Sequence, residues 1–455
     1  MYRVLVSALV ALLGLSTGAS AMSLNEAVRR AVETSPEVLE AGADARAIGA
    51  AGDQARALYM PTLDVEGSVG GVYVDRPNSL RAQDNREWRL GRQVSVVARW
   101  TLFDGFYRAN EMFRQATLLE GAGYRIFEAA EIVALQAIEA YVDVLRHRRV
   151  LAAADRNIAQ HRYILAQAQT QYDGGVATRG EVEIAGERLA SAEAMRAEVM
   201  RALGEVEASF IRLVGVAPER LARPRLPDAL PRSLEAAISL ARERHPSLDA
   251  AALDVEANEA QAEQETSSIY PTVALEGRGT LGYDLNGTPG PSNEASVRLT
   301  MSWRLYDGGL RQARYRERLE RTTAAQIRLD RARRDIDQGV RRAWTGLVAN
   351  EERMAALHRR LTQAERVVAA YHEEYDAGLR SLLDILDAQN ARFNAEFEVA
   401  SVEAISVFAR WQLLGSTGGL LHAFGLQAML PDLEERREDL RLHTTSGGLL
   451  EPLFR

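Results

Sequence analysis

The chain contains no cysteine among its 455 residues. That excludes disulfide frameworks, thiolate metal sites and cysteine nucleophiles. It also argues against a lipid anchor, which a bacterial lipoprotein attaches to an N-terminal Cys. Lysine is absent too, so all 55 basic residues are Arg; 63 acidic residues outnumber them and leave a formal net charge of −8. A chain of that sign is a poor candidate for binding nucleic acid. After Ala21 no apolar run approaches the ~18 residues a membrane helix requires. If the mature chain crosses a bilayer, it does so as strands. The seven histidines form no i, i+4 pair and no HExxH. Gly308-Gly309 is not followed by the Lys of a phosphate loop. No catalytic triad, metal site or cofactor site emerges, and the expectation is a protein that is not an enzyme.

The N-terminus has the pattern of a secretory signal. Arg3 supplies the positive region, residues 4–15 are apolar, and Ala19-Ser20-Ala21 is a small-x-small cleavage site. Residues 1–21 are therefore expected to be a signal peptide that directs export.

Beyond Ala21 one unit is written twice. The run from Ser23, SLNEAVRRAVETSPEVLEA, matches SLEAAISLARERHPSLDAA from Ser233. Pro36 and Pro61 correspond to Pro246 and Pro271. WTLFDG, ending at Gly105, corresponds to WRLYDGG, ending at Gly309; Ala140-Tyr141 corresponds to Ala343-Trp344. QYDGG, ending at Gly175, corresponds to EYDAG, ending at Gly378. An ordered series of this kind marks an internal repeat. The expected organisation is a first repeat over 22–230, a second over 231–430 and a flexible charged tail over 431–455. The join carries Pro218, Pro224, Pro227 and Pro231.

Within each repeat the period changes. An Ala/Glu/Arg-rich helix runs from Leu24 to about Leu58 and ends at Pro61. Alternating strands come next, a pair over 62–103 and another over 272–306. In the last strand Ala295, Val297, Leu299, Met301, Trp303 and Leu305 face one way. Ser296, Arg298, Thr300, Ser302, Arg304 and Tyr306 face the other. Loops near 76–90 and 286–293 carry turn-forming residues. Long helix then predominates, about 100 Å from Gly105 to Tyr172 if unbroken. A heptad-like seam through Leu357, Leu361, Ala364, Val368, Tyr371 and Tyr375 has a returning partner at Leu386, Phe393, Phe397, Ala400, Ala404, Val407, Trp411 and Leu414. Each repeat thus predicts an antiparallel helical hairpin, with tips near 173–178 and 376–381. The Arg-rich stretch from Arg311 to Arg342 alternates with acids and reads as a solvated helix face.

Strands of about ten residues with one apolar face are the unit of a membrane barrel. Four are too few to close one, and open edges are not tolerated in lipid. Oligomerisation is required, and a trimer would supply twelve.

The residues that carry a family likeness are Ser35-Pro36-Glu37 and His245-Pro246-Ser247, Tyr59-Met60-Pro61 and Tyr270-Pro271, and the Phe-Asp-Gly and Tyr-Asp-Gly-Gly junctions. The most specific is Tyr375-Asp376-Ala377-Gly378-Leu379-Arg380, with Asp384-Ile385-Leu386-Asp387-Ala388 after it. With these the chain resembles the TolC-like outer-membrane efflux and type I secretion proteins over Met22 to about Leu430. The resemblance implies a mainly α fold with a β membrane part: a homotrimer with a twelve-stranded barrel in outer-membrane lipid and an α-helical barrel in the periplasm of a Gram-negative cell. It implies a passive duct whose helical tips open on engagement by a periplasmic adaptor (membrane fusion protein) and an inner-membrane ABC or proton-driven transporter. It implies that Tyr375 and Arg380 tie the hairpins together, and that Asp384 and Asp387 line the constriction. Glu181 stands where some members carry the Asp that meets the gate Arg. Gly175, Val176, Gly378 and Leu379 would form the adaptor-contacting tips. The competing expectation is a periplasmic coiled-coil scaffold or adaptor that never enters the membrane.

Overall fold

The computed structural model describes residues 21–74, 87–285 and 289–427. The export signal, most of the two strand-connecting loops and the C-terminal tail lie outside the described residues. In chain order the elements are α1 (Leu24–Thr34), α2 (Pro36–Ala57), β1 (Thr62–Val74), β2 (Glu87–Phe103), α3 (Tyr107–Asp173) and α4 (Arg179–Val214). The same order then recurs as α5 (Leu234–Arg244), α6 (Pro246–Thr266), β3 (Thr272–Tyr283), β4 (Pro291–Ser302), α7 (Leu310–Asp376) and α8 (Leu382–Gly415), before a last short helix α9 (Leu420–Phe424). Helices α3 and α7 have 67 residues each.

The opening helix of each repeat is two helices, not one. Ser35 and His245 are extended, with ψ of 128° and 118°, because a residue before proline is pushed out of the helical region. Pro36 and Pro246 then start new helices, a position where a missing N–H costs nothing. Ser23 and Ser233 cap α1 and α5, each accepting a backbone N–H at 3.2 Å.

The chain divides into two compact units. One is built on the strands. Its four-stranded antiparallel sheet has the order β1-β2-β3-β4, so β1 and β4 are its edges. Register puts Leu63, Val65 and Val69 on the same face as Val94, Val96, Leu275, Leu281, Val297, Leu299 and Met301. All of these are exposed. The opposite face carries Asp64, Glu66, Ser95, Gln93, Glu276, Arg278, Thr300 and Arg298. On it Arg278 reaches Glu66 at 3.6 Å and Glu276 at 3.8 Å, and Ser95, Val97 and Ala274 are buried. One face of the sheet is thus apolar and open throughout, while the other carries the charged and polar side chains and is buried only at its centre, at Ser95, Val97 and Ala274. An apolar face left open is the inverse of a soluble sheet packed on a core.

Strand β4 ends at Ser302, four residues short of the alternation in the sequence. The next ladder partner of β4 would be Pro271, which has no N–H to donate. Instead Trp303 donates its indole N–H to the Ile269 carbonyl at 3.0 Å, and Arg311 donates to the Leu305 and Ser268 carbonyls.

The other unit is helical. Leu24, Ala27, Val28, Ala31 and Val32 bury one stripe of α1, which packs on α4 and α9. The Tyr141 hydroxyl is buried 2.8 Å from the Met22 carbonyl and 2.7 Å from that of Ala222, and burial pushes its pKa up to about 12. Glu131 on α3 accepts the backbone N–H groups of Leu420 and Leu421 at 3.1 and 3.0 Å and so docks α9. Helix α8 is buried on more than a two-stranded seam: Ala395, Val399, Val402, Ala409 and Leu413 are buried beside Phe393 and Ala400, while Phe397 is exposed. Clusters joining Val150, Val199 and Ala400, and joining Val340 and Ala343 to Ala409, show why: α8 has helices on both flanks.

Candidate functional site

The two hairpin tips are built alike. Helices α3 and α7 end at Asp173 and Asp376, and the turns beyond them use Gly175 (φ 75°) and Gly378 (φ 74°) in the left-handed region. A side chain at either glycine would strain that turn. Each return helix then starts with a capping box. The Thr178 hydroxyl accepts the Glu181 N–H at 3.3 Å, and the Glu181 carboxylate accepts the Thr178 N–H at 2.7 Å. Ser381 and Asp384 repeat the arrangement at 3.3 and 3.1 Å. These bonds, led by the Ser381 hydroxyl, hold Asp384 below its ordinary pKa. Val176 and Leu379 stand at the turns 82% and 77% exposed, the inverse of their usual place in a core.

Between the tips lies a shared apolar cluster. Ile164, Ala168 and Ala185 of the first hairpin bury Leu382, Ile385 and Leu386 of the second, with Tyr371 and Tyr375 alongside. Polar links cross the same boundary. Tyr375 donates its hydroxyl to Gln171 Oε1 at 2.6 Å. Burial and, next, the nearby Glu181 carboxylate raise its pKa. Arg188 on α4 donates to Asp387 on α8 at 3.3 Å.

The residues singled out from the sequence are thus brought close, with a different pairing. Arg380 pairs with Glu374 at 2.7 Å and lies over the face of Tyr371, 4.3 Å from the ring centroid. Glu374 raises the Arg380 pKa. Glu181, placed by resemblance against the gate Arg, has the Thr178 cap as its hydrogen-bond partner. Asp384 and Asp387, three apart, have different partners, the cap and Arg188. Sequence reasoning missed Arg188, Gln171 and Glu374. The Thr-x-x-Glu and Ser-x-x-Asp spacing is the local signal for the caps; nothing local marks Arg188, whose partner is 199 residues away.

The profile of the outer membrane efflux protein family matches residues 27–216 and 237–419, most of the chain. The outer membrane efflux protein BepC of Brucella suis is 27% identical over 340 residues, 73% of this chain and 73% of that protein. The alkaline protease secretion protein AprF of Pseudomonas aeruginosa is 25% identical over 423 residues, 88% of this chain and 85% of that protein. Among solved structures, the outer membrane protein VceC of Vibrio cholerae has the same fold, with a TM-score of 0.73, 18% identity, and coverage of 87% of this chain and 96% of that one. The chain belongs to the outer membrane efflux protein family, whose members are exit ducts of the outer membrane and not enzymes.

Proposed function

We propose that the chain is one protomer of a homotrimeric duct, built from two repeats (22–230 and 231–430) and gated at its helical tips. The observation that carries the trimer is the open sheet. Its apolar face is exposed throughout, its polar face is buried only at the centre, and β1 and β4 are edges. Edges in lipid must be paired, and β4 of one copy against β1 of the next closes a barrel. Three copies give twelve strands with the Glu66 and Arg278 face lining the lumen.

The tips would form the gate. The Arg188–Asp387 pair crosses between the hairpins, is about a third exposed on one side and three-fifths on the other, and is worth roughly 0–1 kcal/mol; Arg380–Glu374 lies within the second hairpin and shapes its tip. Links of that size, repeated around a three-fold axis, hold a tip closed yet yield to a partner. Asp384 and Asp387 would place carboxylates around the constriction and favour cations. The apolar Val176 and Leu379 at the turns suit docking by a periplasmic adaptor, which would couple the duct to an inner-membrane ABC or proton-driven transporter. The cargo follows from that transporter: a protein for an ABC exporter, as the name of the alkaline protease secretion relative suggests, or small molecules for a proton-driven efflux pump.

Single-channel recording in planar bilayers tests the gate. Arg188→Ser should raise conductance several-fold, Arg380→Ser should raise it less, and Asp384→Ala with Asp387→Ala should lower cation selectivity. Unchanged conductance and selectivity in these variants would overturn the assignment. For the trimer, the natural lack of cysteine allows Met60→Cys with Tyr306→Cys and a short thiol cross-linker. Dimer and trimer bands are expected; a ladder that stops at monomer would exclude it.

A further inference from the structure

The helical unit holds a cavity of about 780 Å³ between α3, α7, α8 and the proline-rich join, well away in sequence from the tips. Its volume lies in the range of small-molecule sites, roughly 300–1,000 Å³. The lining is unusual in chemistry. Four guanidinium groups converge on it from three segments: Arg146 and Arg149 of α3, Arg223 of the join and Arg410 of α8. The remaining wall is largely apolar, including Leu226 and Met354.

The charges do not cancel. Arg149 pairs with Glu403, which also receives His358 at 3.1 Å. Arg410 pairs with Glu351 at 3.0 Å. Arg146 pairs with Asp143, its Nε 3.4 Å away and without a closer hydrogen-bond partner among the described residues. Arg223 has no ion-pair partner among the described residues. One cation is therefore left over at the mouth of a half-apolar cavity. Inside it Ser406, only 2% exposed, carries a buried hydroxyl that has no hydrogen-bond partner among the described residues. Buried polar atoms in native proteins are nearly always satisfied, so the unpartnered Ser406 hydroxyl, on the same cavity as the unpaired Arg223, points to a polar group brought from outside the chain.

We propose that this cavity binds a small amphiphilic carboxylate: the anion meets Arg223 and Arg146, the Ser406 hydroxyl donates to the ligand, and its apolar body lies against Leu226 and Met354. A single carboxylate matches the single uncompensated cation, and Arg holds carboxylates in fixed fork geometry. Because the ligand would touch α3, α7, α8 and the join together, binding should also raise thermal stability.

The test uses the full chain in lipid nanodiscs, with 4-phenylbutyrate as the probe and 4-phenylbutanol as its uncharged counterpart. Calorimetry should show saturable binding of the carboxylate and at least about tenfold weaker binding of the alcohol. Arg223→Gln, a change at an exposed position, should weaken the carboxylate at least about tenfold and leave the alcohol unchanged. Ala404→Trp, which fills the cavity, should abolish both. Equal affinity for acid and alcohol, or no effect of Arg223→Gln, would overturn the proposal. So would tighter binding of a hexaglutamate peptide than of the probe, which would make the surface a protein-docking site instead.

Discussion

The strand-to-helix junction occurs twice in this chain, once with its aromatic residue buried and once with it bare. In both copies a Trp indole closes the strand, Trp100 on the Tyr59 carbonyl and Trp303 on that of Ile269, each at 3.0 Å. In both an Asp–Arg pair spans one helical turn, Asp104–Arg108 and Asp307–Arg311. The surroundings differ. Arg108 is 3% exposed and lies over the Tyr59 ring at 4.5 Å. Phe103, Phe106 and Tyr270 pack edge to face nearby at 5.9–6.3 Å. At the second junction Tyr306, the counterpart of Phe103, is 85% exposed. The first junction is covered by Ser267 and Tyr270 of the second repeat. The matching cover for the second would be Ala57 and Met60 of a first repeat, and Met60 is itself exposed. The same local chemistry with unequal burial is what a protomer of the proposed trimer requires. There the first repeat of the next copy would cover the bare junction, and the two junctions would become one repeated contact.

Removing the junction arginines should separate the two sites most. Arg108→Ala leaves Asp104 buried beside an empty space and should cost about 3–5 kcal/mol in urea unfolding. Arg311→Ala, where the guanidinium is a quarter exposed although Asp307 is not, should cost less, about 1.5–3 kcal/mol in monomeric protein, and approach the first value once the trimer forms. Equal costs in monomer would remove the asymmetry.

A second contrast lies in the helical unit, where Glu131 of α3 corresponds to the exposed Arg334 of α7. Desolvation outweighs the two N–H bonds from Leu421 and Leu420 and raises the Glu131 pKa from 4.5 to about 7. The folded state then holds a proton more tightly than the unfolded chain. Its contribution to stability is full below pH ~4.5 and is lost as pH rises through ~7, a span on the order of 3 kcal/mol. Glu131→Gln should flatten that part of the stability profile, and Arg334→Gln should leave it unchanged.

The glycines offer a smaller effect. Gly105 and Gly308 share a left-handed φ, 69° and 68°. A Cβ at Gly105 would sit 2.5 Å from the Ser267 carbonyl and 2.9 Å from Tyr270 Cβ, whereas one at Gly308 meets nothing within 4 Å. Gly105→Ala should cost about 2–3 kcal/mol from clash plus backbone strain. Gly308→Ala should cost about 1 kcal/mol in monomer from strain alone. Tyr306→Ser is expected to cost about 1–2 kcal/mol per contact in trimer dissociation and nothing in monomer folding. A monomer-level loss would place its partner inside the chain.

Much of the fold was legible because its signals are local. Pro61 and Pro271 end helices, Gly175 and Gly378 mark turns, and alternation along 291–302 separates lipid-seeking from polar side chains. The helix breaks at Ser35 and His245 were equally local, through the prolines after them, but the Ala/Glu/Arg-rich composition continued across and hid them. At the tips, residue type and spacing located Tyr375, Arg380, Asp384 and Asp387 without revealing their partners. Arg380 takes Glu374 from its own hairpin, and Asp387 takes Arg188 from the other. A charged side chain selects whichever opposite charge is nearest in space, and that distance is set by how α4 and α8 pack.

The duplicated order of elements, the lack of any run long enough for a membrane helix and the two-faced strands can all be read from residue order, since each follows from backbone chemistry within a few positions. Packing in three dimensions was needed to establish that Phe103 and Arg108 of one junction are buried while Tyr306 of its copy is bare, that Glu131 holds a proton near neutrality, and that four arginines meet at one cavity. Burial depends on what lies on the far side of a residue, and at these sites most of that cover comes from more than a hundred positions away.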